Sequence, residues 1–168
     1  IWFICMWAVC MCTAFVSCTE DEKIIVPAPK PNIPPGEVPE GFSCSSSPDA
    51  DQPLTLTFKA AASSALYGFT GDVYLHTGVI VEGQWMFVPA DWNENIDKCK
   101  FEKDADKENV WSITLSPSLR EWFGSGTTPI TQLGVIIRSA DGTKKGLEAD
   151  EFITVTDNLY TGFEPGEV

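Results

Sequence analysis

The sequence predicts an all-β fold, a β-sandwich of short strands with one short helical turn. Leu54, Leu56 and Phe58 alternate with Thr55, Thr57 and Lys59, the period-two pattern of a strand with one buried face. Comparable short runs recur along the chain, separated by clusters of Gly, Asn and Asp. Between two of the later runs stands Asp141-Gly142, a pair that accepts the positive φ a tight hairpin demands.

Residues 1–17 read as one segment, apolar from Ile1 to Val16 and with no charge before Glu20. That is the length of a signal-peptide core, and short of the roughly 20 apolar residues that span a bilayer. The run begins at Ile1 without a Met or a basic n-region, so it reads as an incomplete signal peptide, with an uncleaved anchor helix as the alternative. Residues 18–47 read as a tether. Thr19-Glu20-Asp21-Glu22 makes its start acidic, and half of the chain's 12 prolines fall within residues 23–41, a density at which neither helix nor ladder forms.

The sandwich is expected over residues 48–156. Asp51-Gln52-Pro53 supplies turn chemistry before the strand at 54–59, and the small residues 60–65 form a loop or helical turn. Strands follow at 72–81 and 85–88, joined by a Glu82-Gly83 turn, then at 100–103, 110–115, 132–139 and 151–155. Trp111 alternates with Ile113 and Leu115 and belongs in the core. The helical piece is Ser116 to Phe123, with Ser116 as cap, Pro117 in the first turn and Gly124 past the end; Leu119, Trp122 and Phe123 plug the core.

Composition excludes several functions. With 24 carboxylates against 11 cations and a net charge of -13, the surface repels a phosphate backbone, and no nucleic-acid partner is expected. A single His and no CxxC pair leave a zinc site without ligands. Cys44 and Cys99 are either free thiols or, in an oxidising compartment, a disulfide. Asp91, Asn93, Asn95, Asp97 and Glu102 fall on positions of a calcium loop, but Ile96 stands where that loop needs Gly and no helices flank it. A solvated turn is expected there, an irregular structural calcium site is the alternative, and no other cofactor is implied. No GxSxG elbow is present, so we expect no catalytic constellation in this segment.

The segment from Gly71 to Trp92 carries the candidate site. Its alternation directs Val73, Leu75 and Thr77 one way and Tyr74 and His76 the other, and Trp85 follows on the next strand. Two flat side chains on one strand face and an indole beside them offer a sugar both stacking area and polar handles. Plainer alternatives stand beside these: Tyr74 packed under the helical piece, which lids one end of the sandwich, and His76 a structural histidine; Trp85 and Trp92 bracket a bend at Pro89, where one fills the core and the other, for which Trp85 is favoured, is exposed. Arg138 either pairs with Asp141 or reaches a sugar hydroxyl.

Phe15-Val16-Ser17-Cys18 resembles a bacterial lipobox, which implies lipid attachment at Cys18, and the acidic residues after it resemble the export signal of Bacteroidetes surface lipoproteins. PDADQPLTLTF, GDVYLHTGVI, WSITLSPSLREWFG and LGVIIRSADGTKKG, in that order, resemble the N-terminal β-sandwich module of Bacteroidetes lipoproteins of the α-amylase family (glycoside hydrolase family 13). The resemblance implies an immunoglobulin-like or carbohydrate-binding-module-like sandwich on an outer-membrane, surface-exposed lipoprotein. The implied partners are a starch-like α-glucan, the membrane through the lipid anchor only, and a downstream catalytic domain of the same chain, for which residues 157–168 begin the linker. The chain is similar, less closely, to family 26 starch-binding modules, which implies Tyr74, His76 and Trp85 as the sugar platform, with His76 where that family has a second Tyr. A non-binding immunoglobulin-like spacer that sets the catalytic domain away from the membrane is the alternative.

Overall fold

Residues 36–159 are described by a computed structural model of the chain. The expected signal peptide, Cys18, most of the expected tether and most of the expected linker lie outside the described residues. Eight strands form: β1 (Gly41–Cys44), β2 (Leu54–Lys59), β3 (Val73–Val81), β4 (Gln84–Met86), β5 (Glu102–Lys103), β6 (Val110–Leu115), β7 (Gln132–Ser139) and β8 (Glu151–Thr154). One helix, α1 (Leu119–Phe123), follows β6. The strands make two four-stranded antiparallel sheets, ordered β1-β2-β6-β5 and β4-β3-β7-β8.

The period-two pattern decides what lies between them. Leu54, Leu56, Phe58, Trp111 and Leu115 of the first sheet and Val73, Leu75, Val79, Leu133, Val135 and Ile137 of the second share one buried core. Thr77 is the polar member of the inner face of β3, and its hydroxyl donates to the Gly134 carbonyl at 2.7 Å, so no hydrogen bond is lost on burial. Leu119, Trp122 and Phe123 of α1 fill the core as their spacing predicts.

The structure departs from the sequence reading at three places in the frame. β1 lies inside the stretch read as tether: Phe42 pairs with Phe58 across the strands, their rings 5.0 Å apart, and that aromatic pair orders a segment too short to alternate visibly. The helix cap is Ser118 and not Ser116. Ser118 has the extended backbone of a cap and its Oγ accepts from the Glu121 N–H at 3.2 Å, while Gly124 ends the helix at φ 68° as expected. The strand expected over 85–88 stops at Met86 because Phe87 turns into the left-handed region at φ 53°.

Both expected tight turns form. Glu82 and Gly83 take φ 50° and 78° between β3 and β4. Gly142 takes φ 71° after β7, and the chain doubles back so that the Gly146 N–H reaches the Ile137 carbonyl at 2.9 Å.

One end of the sandwich is clasped by a single cation. Arg120 on α1 donates to Asp51 at 2.7 Å and to Asp157 at 2.8 Å. The buried Asp157 also accepts from the Ile130 and Leu159 N–H groups at 2.6 and 2.7 Å. The start of β2, the helix and the segment after β8 are joined through these two side chains.

Candidate functional site

The outward face of the second sheet holds the candidate site. On β3 and β7 the residues facing away from the core are cross-strand partners: Tyr74 with Arg138, His76 with Ile136, and Gly78 with Gly134. Trp85 enters from β4, where it pairs with Ile80, and Phe152 from β8, where it pairs with Gly134. Period two therefore brings four strands' worth of outward side chains onto one surface.

The glycine pair seats the indole. A Cβ on Gly134 would stand 2.5 Å from Cζ2 and 2.6 Å from Cη2 of Trp85, and one on Gly78 would meet Cε3 of the same ring at 3.2 Å. Trp85 thus lies across two adjacent strands in space that only glycine leaves open, and it remains half-buried. The imidazole of His76 stacks against it, with centroids 5.6 Å apart and planes 20° from parallel. On its other side His76 meets Trp92 edge-on at 5.2 Å, and Phe152 stands against Trp85 at 6.4 Å with 48% of its surface exposed.

Trp92 is held in place by a buried cation. Arg138 is 1% exposed and has no carboxylate partner among the described residues. Its Nη1 donates to Asn95 Oδ1 at 2.9 Å and to the Ser139 carbonyl at 3.0 Å, and its Nη2 to the Glu94 carbonyl at 2.7 Å. The guanidinium also lies 5.7 Å from the Tyr74 ring and 5.6 Å from the Trp92 ring. Carbonyl dipoles and two π faces stand in for a counter-ion, and the loop from Asp91 to Asp97 is fastened to the sheet by that arrangement. Burial pulls the Arg138 pKa below its usual value.

The electrostatics of His76 follow from this neighbourhood. Burial and the nearby Arg138 charge lower its pKa, and a backbone hydrogen bond at Ala90 with the Asp150 and Asp91 charges only partly restores it. At neutral pH the ring is uncharged and serves as a flat polar wall.

Of the three residues expected to form the platform, the structure brings two, His76 and Trp85, into contact. Tyr74 is 9% exposed and withdrawn from the surface, with the Arg138 guanidinium over its ring and a bridge to Lys100 along its backbone. His76 and Trp85 are together as expected. Neither Trp85 nor Trp92 is in the core; both are half-buried on the outward face, one on each side of His76. Arg138 does not pair with Asp141, whose carboxylate accepts instead from the Ser139 hydroxyl and from Thr143.

The weak calcium candidates lie along the loop between β4 and β5. The Asn95 amide is committed to Arg138 and to the Ala140 carbonyl, and Asp97 opens the 3₁₀ turn Asp97–Cys99. Among the described residues no group of three or more His, Cys, Asp or Glu side chains comes together as a metal site, and Asp91, Asn93, Asn95 and Asp97 form the turn that carries Trp92. Cys44 and Cys99 are free thiols.

Gly78, Gly134, Trp92 and Phe152 are site residues that the sequence reading did not single out, and Arg138, weighed there as a salt-bridge or sugar-hydroxyl residue, fastens the Trp92 loop instead. The available signal was a glycine in the middle of each of two strands, which marks a close approach by another group. A cleft of about 520 Å³ elsewhere is lined by Asp72, Lys100, Lys103 and Trp111, and its two ammonium groups are already used, Lys100 on Asp72 and Lys103 on the Phe69 carbonyl.

A scan against models of known protein families finds no match to the chain, and a search of curated proteins finds none either. Among the described residues no helix is long and apolar enough to cross a membrane.

Proposed function

We propose that the chain is a cell-surface lipoprotein module that binds a starch-like α-glucan, anchored to the outer membrane through Cys18 and forming the N-terminal accessory part of an α-amylase-family glycoside hydrolase. The observation that carries this reading is the glycine-seated indole of Trp85 beside the exposed ring of Phe152. An indole wedged over backbone is immobile before a ligand arrives, so stacking a sugar on it costs little side-chain entropy. The site revises the expected platform to Trp85 and Phe152, with His76 stacked against Trp85 and Trp92 behind His76.

Two further features support the reading. The order β1-β2-β6-β5 against β4-β3-β7-β8 corresponds strand for strand to the immunoglobulin arrangement of ABED against CFG with one added strand beside C. The net charge of -13 suits a neutral polysaccharide and disfavours polyanions. Tethered beside a catalytic domain, such a module raises the local substrate concentration by making the second contact intramolecular.

The burial of Tyr74 favours a second reading, an immunoglobulin-like spacer without a ligand. Calorimetric titration of the full chain with maltoheptaose and cellohexaose separates the two. Heat with the α-linked sugar that disappears in Trp85→Ala supports the binding module, and no heat with either sugar leaves the spacer.

A further inference from the structure

We infer that the site accommodates a single pyranose ring and not a run of them, an inference that rests on the sugar-binding reading above. Trp85 is seated on Gly78 and Gly134, and one side of it is stacked by His76 at 5.6 Å. His76 in turn is closed off by the edge of Trp92 at 5.2 Å. Trp92 has the Arg138 guanidinium 5.6 Å from its centre, and Tyr74, which also lies against that guanidinium, is buried. The row of rings along β3 is therefore packed against itself.

At 5.6 Å the near-parallel His76 ring is offset and covers only part of the indole, so free surface remains at one corner, on the uncovered part of the half-buried Trp85 and on the exposed Phe152. Those rings meet at 65° with centroids 6.4 Å apart, so they form a floor and a wall, and a second sugar in line would meet Phe152 edge-first. A corner of this kind holds one ring by its face and edge, whereas a flat run of parallel rings would hold several in succession. Affinity for a glucan then comes from the number of rings able to enter the corner, and strong retention on a polymer needs several modules acting together.

The experiment is a calorimetric titration of the full chain with maltose, maltotriose and maltoheptaose, on the native sequence and on Phe152→Ala. Phe152 is exposed, so its truncation leaves the core intact. A one-ring site gives maltoheptaose an advantage over maltotriose of about two- to threefold, the ratio of rings that can enter, and Phe152→Ala weakens all three sugars by a similar factor. An extended platform gives about tenfold for each further stacked ring, and Phe152→Ala then flattens the dependence on length. A steep rise with length overturns the one-ring footprint and leaves sugar binding standing. No heat with any of the three overturns both.

Discussion

Trp85 occupies the space that a β-carbon on Gly134 would fill, with its Cζ2 2.5 Å from that position. The glycine and the indole are on different strands, separated in sequence by β5, β6 and α1. Their contact fixes the height and tilt of the ring on which the proposed site depends, so the consequences of disturbing it are specific.

Replacing Gly134 with Ala forces the indole off the sheet. The backbone at Gly134 is ordinary strand, so the cost is steric, about 1–3 kcal/mol as in other overpacked sites. Urea unfolding is expected to show that loss, and titration with maltoheptaose to show weakened binding. The double substitution Gly134→Ala with Trp85→Ala is expected to recover most of the stability and none of the binding, since the clash is removed along with the platform.

Arg138 fastens the loop that carries Trp92. Arg138→Met leaves the Glu94 and Ser139 carbonyls and the Asn95 amide without their donor, at a cost of about 3 kcal/mol. Hydrogen exchange should accelerate selectively over residues 91–97. Uniform acceleration across both sheets would instead mean that the residue serves the whole core and not this loop.

Acid should unfold the domain through two carboxylates at its turns. Burial pushes the Asp157 pKa up, but hydrogen bonds from Ile130, Arg120 and Leu159 outweigh it and hold the pKa below the ordinary value. Asp141 is held at about 2 by the Ser139 hydroxyl and by Thr143. Both folded pKa values lie below the unfolded one of about 3.9, so their stabilisation is fully present above that pH and is lost as pH falls toward 2. The thermal midpoint should drop steeply between about pH 4 and pH 2. Asp157→Asn should lower the midpoint at pH 7 and make the acid limb shallower.

The two thiols should differ in reactivity. Cys99 is 1% exposed in the core, and burial pushes its pKa up to about 11, with Lys98 and Arg138 opposing only in part. Cys44 is half-buried on β1, and burial raises its pKa too. With a thiol-specific reagent at pH 8, Cys99 should react about 100-fold or more slowly than a free thiol and at the rate of unfolding, while Cys44 reacts first. Equal fast labelling of both would contradict the packing around Cys99.

The strand pattern was legible because it is local. Alternation at Leu54–Lys59 and Val110–Leu115, the turn residues Glu82-Gly83 and Asp141-Gly142, and the placement of Leu119, Trp122 and Phe123 in the core all follow from spacing along a few residues. β1 was missed because four residues show no period, and its order comes from Phe42 meeting Phe58 on another strand.

The sequence by itself determined which side chains face outward on each strand, since that depends only on the two-residue repeat of the backbone. It placed His76 and Tyr74 on one face and set Trp85 on the next strand. Only the tertiary structure decided which of them stay accessible. Register put Gly78 beside Gly134 and so seated Trp85, while the loop fastened by Arg138 set the edge of Trp92 against His76, and Arg138 itself lies over the ring of the buried Tyr74. Those outcomes depend on contacts between residues far apart in the chain, where the meeting of side chains is set by strand register and loop path and not by any neighbouring residue.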